Sequence, residues 1–258
     1  MTARAMPSRA RPPSRGFWEL VKVEGKRARR APVGLLLGVL VPVILLVIFS
    51  AIPGLKQLAP GSTLTMFTQY VPVLIAMSVC LIALVSLPIP VVSDRQAGVL
   101  RRFATTPAPP AWVLAAQVIV NLALALAAIV ILVAGSVLFF GVRMPAQWGG
   151  FALSALLCIA AMFGIGLLIT SLARSPQVAG AVGTVLLYPL LFFAGMWTPR
   201  QNLSPTLQHI GNYTPLAAAV QAMDAAMQGH FPPARPLLVM TAYAVVFGIV
   251  AIRMFRWE

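Results

Sequence analysis

The sequence predicts an all-α integral membrane protein: six transmembrane helices, an N-terminal interfacial amphipathic helix, and a re-entrant outer hairpin between spans five and six. Three observations carry that reading. Of the 258 residues, 60% are hydrophobic and only 9% charged, with a mean hydropathy of +0.91, whereas a soluble domain carries about a quarter charged residues. Six stretches reach the roughly 20 mostly apolar residues that a helix needs to cross a bilayer. The basic residues then fall unevenly between the two sides that these spans define. Such a composition excludes a disordered chain, a disulfide scaffold and an ordinary water-soluble enzyme.

The six spans are residues 33–52, 66–92, 112–140, 150–172, 178–197 and 236–255. The first reads as retained rather than as a cleaved signal, because Phe49-Ser50-Ala51 lacks the small-x-small cleavage pattern. A net charge of +14 and a pI near 11.6 ordinarily point to nucleic acid. Here the charge coexists with long uncharged runs that only a bilayer solvates, so no nucleic-acid partner is expected. Of the 19 Lys and Arg residues, all but Lys56, Arg143, Arg200 and Arg235 fall on the side of the two termini. The positive-inside rule therefore places both termini in the cytoplasm.

Residues 1–16 are rich in Arg, Pro and Ser and read as a disordered basic cytoplasmic tail; residues 17–258 form the transmembrane domain. Residues 17–31 pattern as a helix with Phe17, Leu20, Val21 and Ala28 on one face and Lys22, Lys26, Arg29 and Arg30 on the other. Glu24 interrupts the apolar stripe. With Trp18 beside that face, the helix either lies in the headgroup layer or only enforces orientation, and one helix can do both. The outer segment 198–235 holds two short, partly apolar pieces, 203–210 and 215–227, joined by Gly211-Asn212-Tyr213-Thr214. Both are too short to span, which leaves a re-entrant hairpin dipping in from outside or helices lying on the surface.

The chemistry that the chain lacks is equally informative. All five acids, Glu19, Glu24, Asp94, Asp224 and Glu258, fall outside the span interiors, where an ion-coupled transporter usually buries one. His209 and His230 sit on the outer segment without an acidic partner at ligand spacing, and Cys80 and Cys158 lie in apolar runs as small hydrophobes. No Gly-rich phosphate loop ends in Lys and Ser/Thr. Gly164 and Gly166, in span four, suit close helix packing. No catalytic residue, metal site or cofactor is expected in this chain, and any ATP-derived energy must come from a partner.

The inner loop 94–107 patterns as a short cytoplasmic helix with Asp94 near its N-terminus, where the helix dipole favours an acid. Val99, Leu100 and Phe103 supply apolar anchors, Arg101 and Arg102 basic groups, and Pro107 a stop. Such a helix suits docking into a groove on a partner; the plainer alternative is an inner loop that obeys the positive-inside rule. Its order, Asp94-Arg95-Gln96-x-Gly98-x-Leu100 and then Thr106-Pro107, resembles the inner-loop signature of ABC type-2 exporter permeases. That signature is an acidic-Arg-acidic-x-Gly-Thr-Leu pattern followed by a hydrophobic residue and Thr-Pro. Gln96 replaces the second acid and Val99 the Thr. A second resemblance runs from Phe193-Ala194-Gly195-Met196-Trp197-Thr198-Pro199 through Asn202-Leu203-Ser204-Pro205 to Tyr213-Thr214-Pro215-Leu216.

The resemblance covers the chain from Phe17 onward and implies an ABC type-2 transmembrane domain over residues 17–258. It implies a permease subunit, not itself an enzyme, that pairs with a second copy or a paralogue and with two copies of an ATP-binding subunit, which bind the ATP and Mg. Asp94, Arg95, Gly98, Leu100, Arg101, Arg102, Phe103, Thr106 and Pro107 would then form the coupling helix that contacts the ATPase. The first, second and fifth spans would face the dimer interface, with Gly180 and Gly183 allowing close approach. Prolines 42, 72, 88, 90 and 189 supply bends or packing features. Phe49, Met66, Phe67, Tyr188, Phe192 and Phe193 would line a pathway without charge at depth, suited to an amphipathic drug or a lipid-like or glycolipid cargo moving outward. Gln117 and Asn121, one turn apart, contact that cargo or bond to a neighbouring helix. An ion-coupled secondary transporter and a non-transporting membrane assembly subunit are the other classes. Arg outnumbers Lys 16 to 3, which hints at a GC-rich bacterial genome and no more; the location expected for such a permease is a bacterial inner membrane.

Overall fold

The computed structural model describes residues 13–30, 34, 36–58, 64–98 and 111–254. Residues 1–12 of the expected basic tail lie outside the described residues, as do Leu100, Arg101, Arg102, Phe103, Thr106 and Pro107 of the expected coupling helix. In chain order the helices are α1 (Pro13–Arg30), α2 (Leu36–Ala51), α3 (Met66–Gln96), α4 (Ala111–Phe140), α5 (Trp148–Leu172), α6 (Pro176–Ala194), α7 (Pro205–Gly211), α8 (Pro215–Met227) and α9 (Ala234–Met254). Among the described residues no strand forms beyond a single Leu58–Thr65 bridge.

Five helices, α3, α4, α5, α6 and α9, are long and apolar enough to cross a membrane. The first expected span, 33–52, corresponds to α2, which is apolar but shorter: a π-turn at Leu36–Leu40 followed by the α-helix Val41–Ala51. α1 starts at Pro13 rather than at Phe17. A proline fits the first helical turn, where its missing N–H is not needed.

α3 organises the bundle. Its apolar stretch is 83% buried within the chain, against 61% for α5 and 28% or less for α4, α6 and α9. Span two was expected to end at residue 92, yet the helix continues to Gln96, a length of about 46 Å at 1.5 Å per residue. It passes Pro88 and Pro90 by loosening beforehand. Residues Ile82–Ser86 form a π-turn, and the Leu87 N–H bonds back to the Ile82 carbonyl at 2.9 Å. Pro88 then takes the first turn of a fresh helical segment. Gly98, with φ of +69°, lies just past the end of α3 in the left-handed region that glycine tolerates. Asp94 therefore belongs to the last turn of the long helix, and the N-terminal position expected for it in a separate inner helix is corrected.

Because Pro88 has no N–H to offer, the Leu84 carbonyl loses its usual helical donor. Neighbouring glycines close over this weakened stretch. A Cβ at Gly183 of α6 would lie 2.0 Å from the Leu84 oxygen, and one at Gly166 of α5 would lie 2.1 Å from the Ala83 oxygen. Only glycine allows backbones so near, and the remaining Cα–H groups make weak contacts to those carbonyls. Gly183 thus packs within its own chain, as does Gly180, whose added Cβ would meet Ile89 at 3.4 Å. Gly164 faces α9 across the backbone of Gly248, at 3.4 Å from an added Cβ.

α6 shows why its bounds differ from 178–197. The Ser175 hydroxyl accepts from the Val178 N–H at 3.2 Å, Pro176 occupies the first turn, and Gly195, with φ of +91°, stops the helix two residues before Trp197. The segment after α6 forms the two short helices that the sequence predicts. α8 is buried along most of its length, its alanines fitting between α3, α5, α6 and α9.

The Gly183 contact predicts that Gly183→Ala destabilises the fold by about 1–3 kcal/mol through overpacking. Gly248→Ala, with no atom within 4 Å of the added methyl, serves as the control. Thermal unfolding of the purified protein in detergent should show a lowered midpoint for the first variant only; equal midpoints would refute the close approach.

Candidate functional site at the α1 end of the bundle

The last turn of α3 presents three consecutive polar side chains, and each engages a different neighbour. Asp94 is 5% exposed. Its Oδ2 accepts from Arg27 Nη1 of α1 at 2.7 Å and from Gln117 Nε2 of α4 at 2.7 Å. A buried carboxylate needs such charge-assisted partners to offset desolvation. Arg95 turns the other way and donates to the carbonyls of Thr170, at 3.1 Å, and Ala173. Thr170 lies in the last turn of α5 and Ala173 is its C-terminal cap, where a helix leaves its oxygens unbonded and its dipole negative. Gln96 Nε2 donates to the Arg174 carbonyl at 2.9 Å in the α5–α6 connection.

The Asp-Arg-Gln step thus ties α3 to α1, α4 and α5 at one level. Gln96 also accounts for its own departure from the acidic pattern. An ionised acid in its place only accepts, and could not donate to that carbonyl.

A polar chain runs inward from Asp94. Asn121 Nδ2 donates to the Gln117 backbone carbonyl at 2.9 Å, and the Asn121 side-chain oxygen accepts from Ser86 Oγ at 3.1 Å. Both amides thus bond to neighbouring helices, the second of the alternatives open for them. α2 is held to α3 by the Ser78 hydroxyl, which donates to the Gly38 carbonyl.

Glu24 completes the cluster from α1. Its carboxylate lies 3.8 Å from Arg27 Nη1 and its side chain is 11% exposed. The acid that interrupts the apolar stripe is therefore turned toward Arg27, Asp94 and Gln117. Burial raises its pKa, and Asp94 adds to this, while Arg27 and Gln117 oppose it. Gln117 Oε1 is buried without a partner. α1 is further pinned by Phe17, edge-on to Trp112 at 5.8 Å. That the stripe-breaking Glu24 meets Asp94 and Gln117 was hidden in the sequence, because three separate helices, α1, α3 and α4, bring them together.

The expected pathway residues do not share one cavity within the chain. Phe49 packs on Tyr70 at 4.9 Å, Phe67 on Phe140 at 5.8 Å, Tyr188 on Trp197 at 6.2 Å, and Phe192 on Phe193 at 5.4 Å. Met66 lines a cavity at the opposite end of the bundle from Asp94. His209 stacks edge-on to Tyr213 at 5.4 Å.

With this geometry in hand, the comparison with known families is direct. The family model described as ABC-2 type transporter matches residues 15–227, which runs from the first turn of α1 through α8 and includes the whole Asp94 cluster. No curated protein matches the chain.

Two outcomes are expected of the cluster. In a double-mutant cycle, Arg27→Ala and Asp94→Ala should each destabilise, with a coupling energy above about 0.5 kcal/mol in thermal or denaturant unfolding; additive effects would show that the pair is only adjacent. The raised pKa of Glu24 sets a sign. Folding favours its protonated form, so its favourable contribution is present below the ordinary Glu range and is lost as pH rises through the raised value. Glu24→Gln should therefore stabilise the protein near neutral pH and flatten that part of the pH profile, which unfolding midpoints measured from pH 4 to 8 would reveal.

Proposed function

The chain belongs to the ABC-2 type transporter family, and on that premise we propose that it is the membrane-spanning permease subunit of an ATP-driven exporter. The family membership and the five long apolar helices make it a multi-pass membrane transporter component, its matched domain a transmembrane permease domain rather than a catalytic ATPase domain, and imply an ATP-binding partner. The finer reading is ours. α2 serves as the sixth span, and the termini face the cytoplasm of a bacterial cell, with the basic residues of α1 against the inner leaflet. Two copies of a separate ATP-binding subunit hold ATP and Mg. The partner across the dimer is a second copy or a paralogue of this chain. The cargo is an amphipathic drug or a lipid-like or glycolipid molecule that moves outward.

The single observation that carries this reading is the Asp94-Arg95-Gln96 junction. Residues 99–107 follow directly from the helix that is most buried in the bundle, and three side chains brace that helix end to α1, α4 and α5. A push on the coupling segment by closing ATP-binding subunits is thereby passed to α3 and to three other helices together. Leu100, Arg101, Arg102, Phe103, Thr106 and Pro107 would make the contact. Exposed apolar residues of α2 (Ile44, Val47, Ile48) and α6 (Val182, Val185, Tyr188) offer the surface for the second subunit. The hairpin reading of α7–α8 is supported by the burial of α8 among four longer helices although it is itself too short to span.

The test is coupled turnover in proteoliposomes that hold the permease and its ATP-binding subunit. Gly98→Pro places a residue with φ fixed near −65° where φ is +69°, and Phe103→Asp puts a charge on the expected docking face. Both should reduce amphiphile-stimulated ATP hydrolysis to the basal rate while the complex still assembles. Unchanged stimulation in either variant would refute the coupling role.

A further inference from the structure

At the end of the bundle away from Asp94, the start of α3, the end of α6 and the α7–α8 segment enclose a cavity of about 440 Å³, within the range of small-ligand sites. From α3 it is lined by Met66, Gln69, Tyr70 and Val73; three charged residues also line it, Arg200, Asp224 and the exposed Arg235. These charges are not neutralised by one another. Among the described residues, no carboxylate lies within ion-pair distance of either arginine. Arg200 donates through Nη2 to Asn212 Oδ1 at 2.8 Å and through Nη1 to the Ala217 carbonyl at 3.5 Å, which leaves its Nε–H buried without a partner. Asp224 accepts from Gln228 Nε2 at 2.8 Å on Oδ2, and its Oδ1 is likewise buried without a partner. Burial lowers the pKa of Arg200, with Arg235 adding to it, and burial raises that of Asp224. Each charged form is thus only partly compensated where it stands.

Two arginines and one carboxylate lining a single cavity define complementary ligand chemistry. The guanidinium groups call for an anion, the carboxylate for a hydroxyl or ammonium hydrogen, and Met66, Tyr70 and Val73 for a hydrocarbon body. Two arginines against one acid leave the site one positive charge in excess. We propose that this cavity binds the head group of an anionic amphiphile, whose phosphate or carboxylate accepts from Arg200 and Arg235, whose adjacent hydroxyl or ammonium donates to Asp224, and whose apolar part lies along Met66, Tyr70 and Val73. The assignment deepens the exporter reading and rests on it: with the termini in the cytoplasm, this is an outer site that receives cargo near the exit.

The test uses the purified full chain, without any ATP-binding subunit, in nanodiscs of zwitterionic lipid. The probe is dihexanoyl phosphatidylglycerol below its micellar concentration, which carries one phosphate charge and free hydroxyls. Dihexanoyl phosphatidylcholine and glycerol phosphate are the comparison arms, and binding is read by calorimetry. Saturable binding of the phosphatidylglycerol probe is expected, with both comparison ligands at least about tenfold weaker. Loss of one charge-assisted contact in Arg235→Gln should weaken the probe by about tenfold or more. Arg200→Gln should do the same; because Arg200 also anchors Asn212, Arg235→Gln, whose arginine makes no such bond, keeps the test decisive if the first variant fails to fold. Equal affinity for phosphatidylcholine, or an unchanged affinity in Arg235→Gln, overturns the anion site. Equal affinity for glycerol phosphate overturns the amphiphile as its occupant in favour of a soluble anion. ATP-driven transport is measured separately in the complex: probe binding without transport sinks the exporter reading and leaves the site standing, and transport without probe binding does the reverse.

Discussion

A helix inside a bilayer must satisfy its own backbone, because lipid offers no hydrogen bonds. α3 breaks that rule in its middle, where Pro88 and Pro90 withhold two N–H groups and a π-turn takes up the misfit. The rest of the architecture follows from how the break is covered. Gly166 and Gly183 lie on the Ala83 and Leu84 carbonyls at distances that no side chain would permit. That fixes α5 and α6 against α3, and α8 fills the space that the three leave. The interruption also lets a single helix run from the far cavity to Asp94, so the two ends of the bundle are joined by one element.

The α1 end shows how three adjacent residues can divide a structural task. Successive residues on a helix point about 100° apart, so Asp94, Arg95 and Gln96 reach three directions without competing. Chemistry matches each direction. The carboxylate meets the donors Arg27 and Gln117, the guanidinium meets the unbonded carbonyls that end α5, and the amide meets the next carbonyl along the chain. Arg rather than Lys suits the second role, because its planar fork serves two carbonyls at once, while the ammonium of Lys is a single point charge.

Much of this was legible in the sequence, and the parts that were not share a cause. Hydropathy located the long helices and the two short outer ones, since burial in lipid or protein demands apolar residues in either case. Ser175-Pro176 and Gly195 mark the ends of α6 by local rules that need no partner. The roles of Gly183, Gln117 and Glu24 depend instead on which helix lies opposite, and periodicity within one segment carries no such information. Gly183 reads equally well as a site for a second subunit or for α3 of its own chain. Pro88 and Pro90 read as bends or packing features inside a span, and only the π-turn explains how the helix passes them. Arg200, Asp224 and Arg235 read as ordinary charges of an outer loop, because nothing in their spacing indicates that the polypeptide folds them around a cavity.

The two ends of α3 differ in how their charges are settled. At the α1 end, Asp94 holds two short charge-assisted bonds and Arg95 caps a helix, an arrangement in which moving one helix disturbs contacts to three others. Interiors and interfaces packed in this way resist gradual deformation and shift as units. At the far end, Arg200, Asp224 and Arg235 line a cavity without ion-pairing to one another, so that surface gains most by meeting something from outside the chain. A permease receives energy at one face and meets its ligand elsewhere; braced polar groups suit the first task, and partly compensated ones suit the second. The continuous helix between them is interrupted at Pro72 and at the π-turn ahead of Pro88, which makes those two breaks the places where displacement of one end is either passed to the other or absorbed.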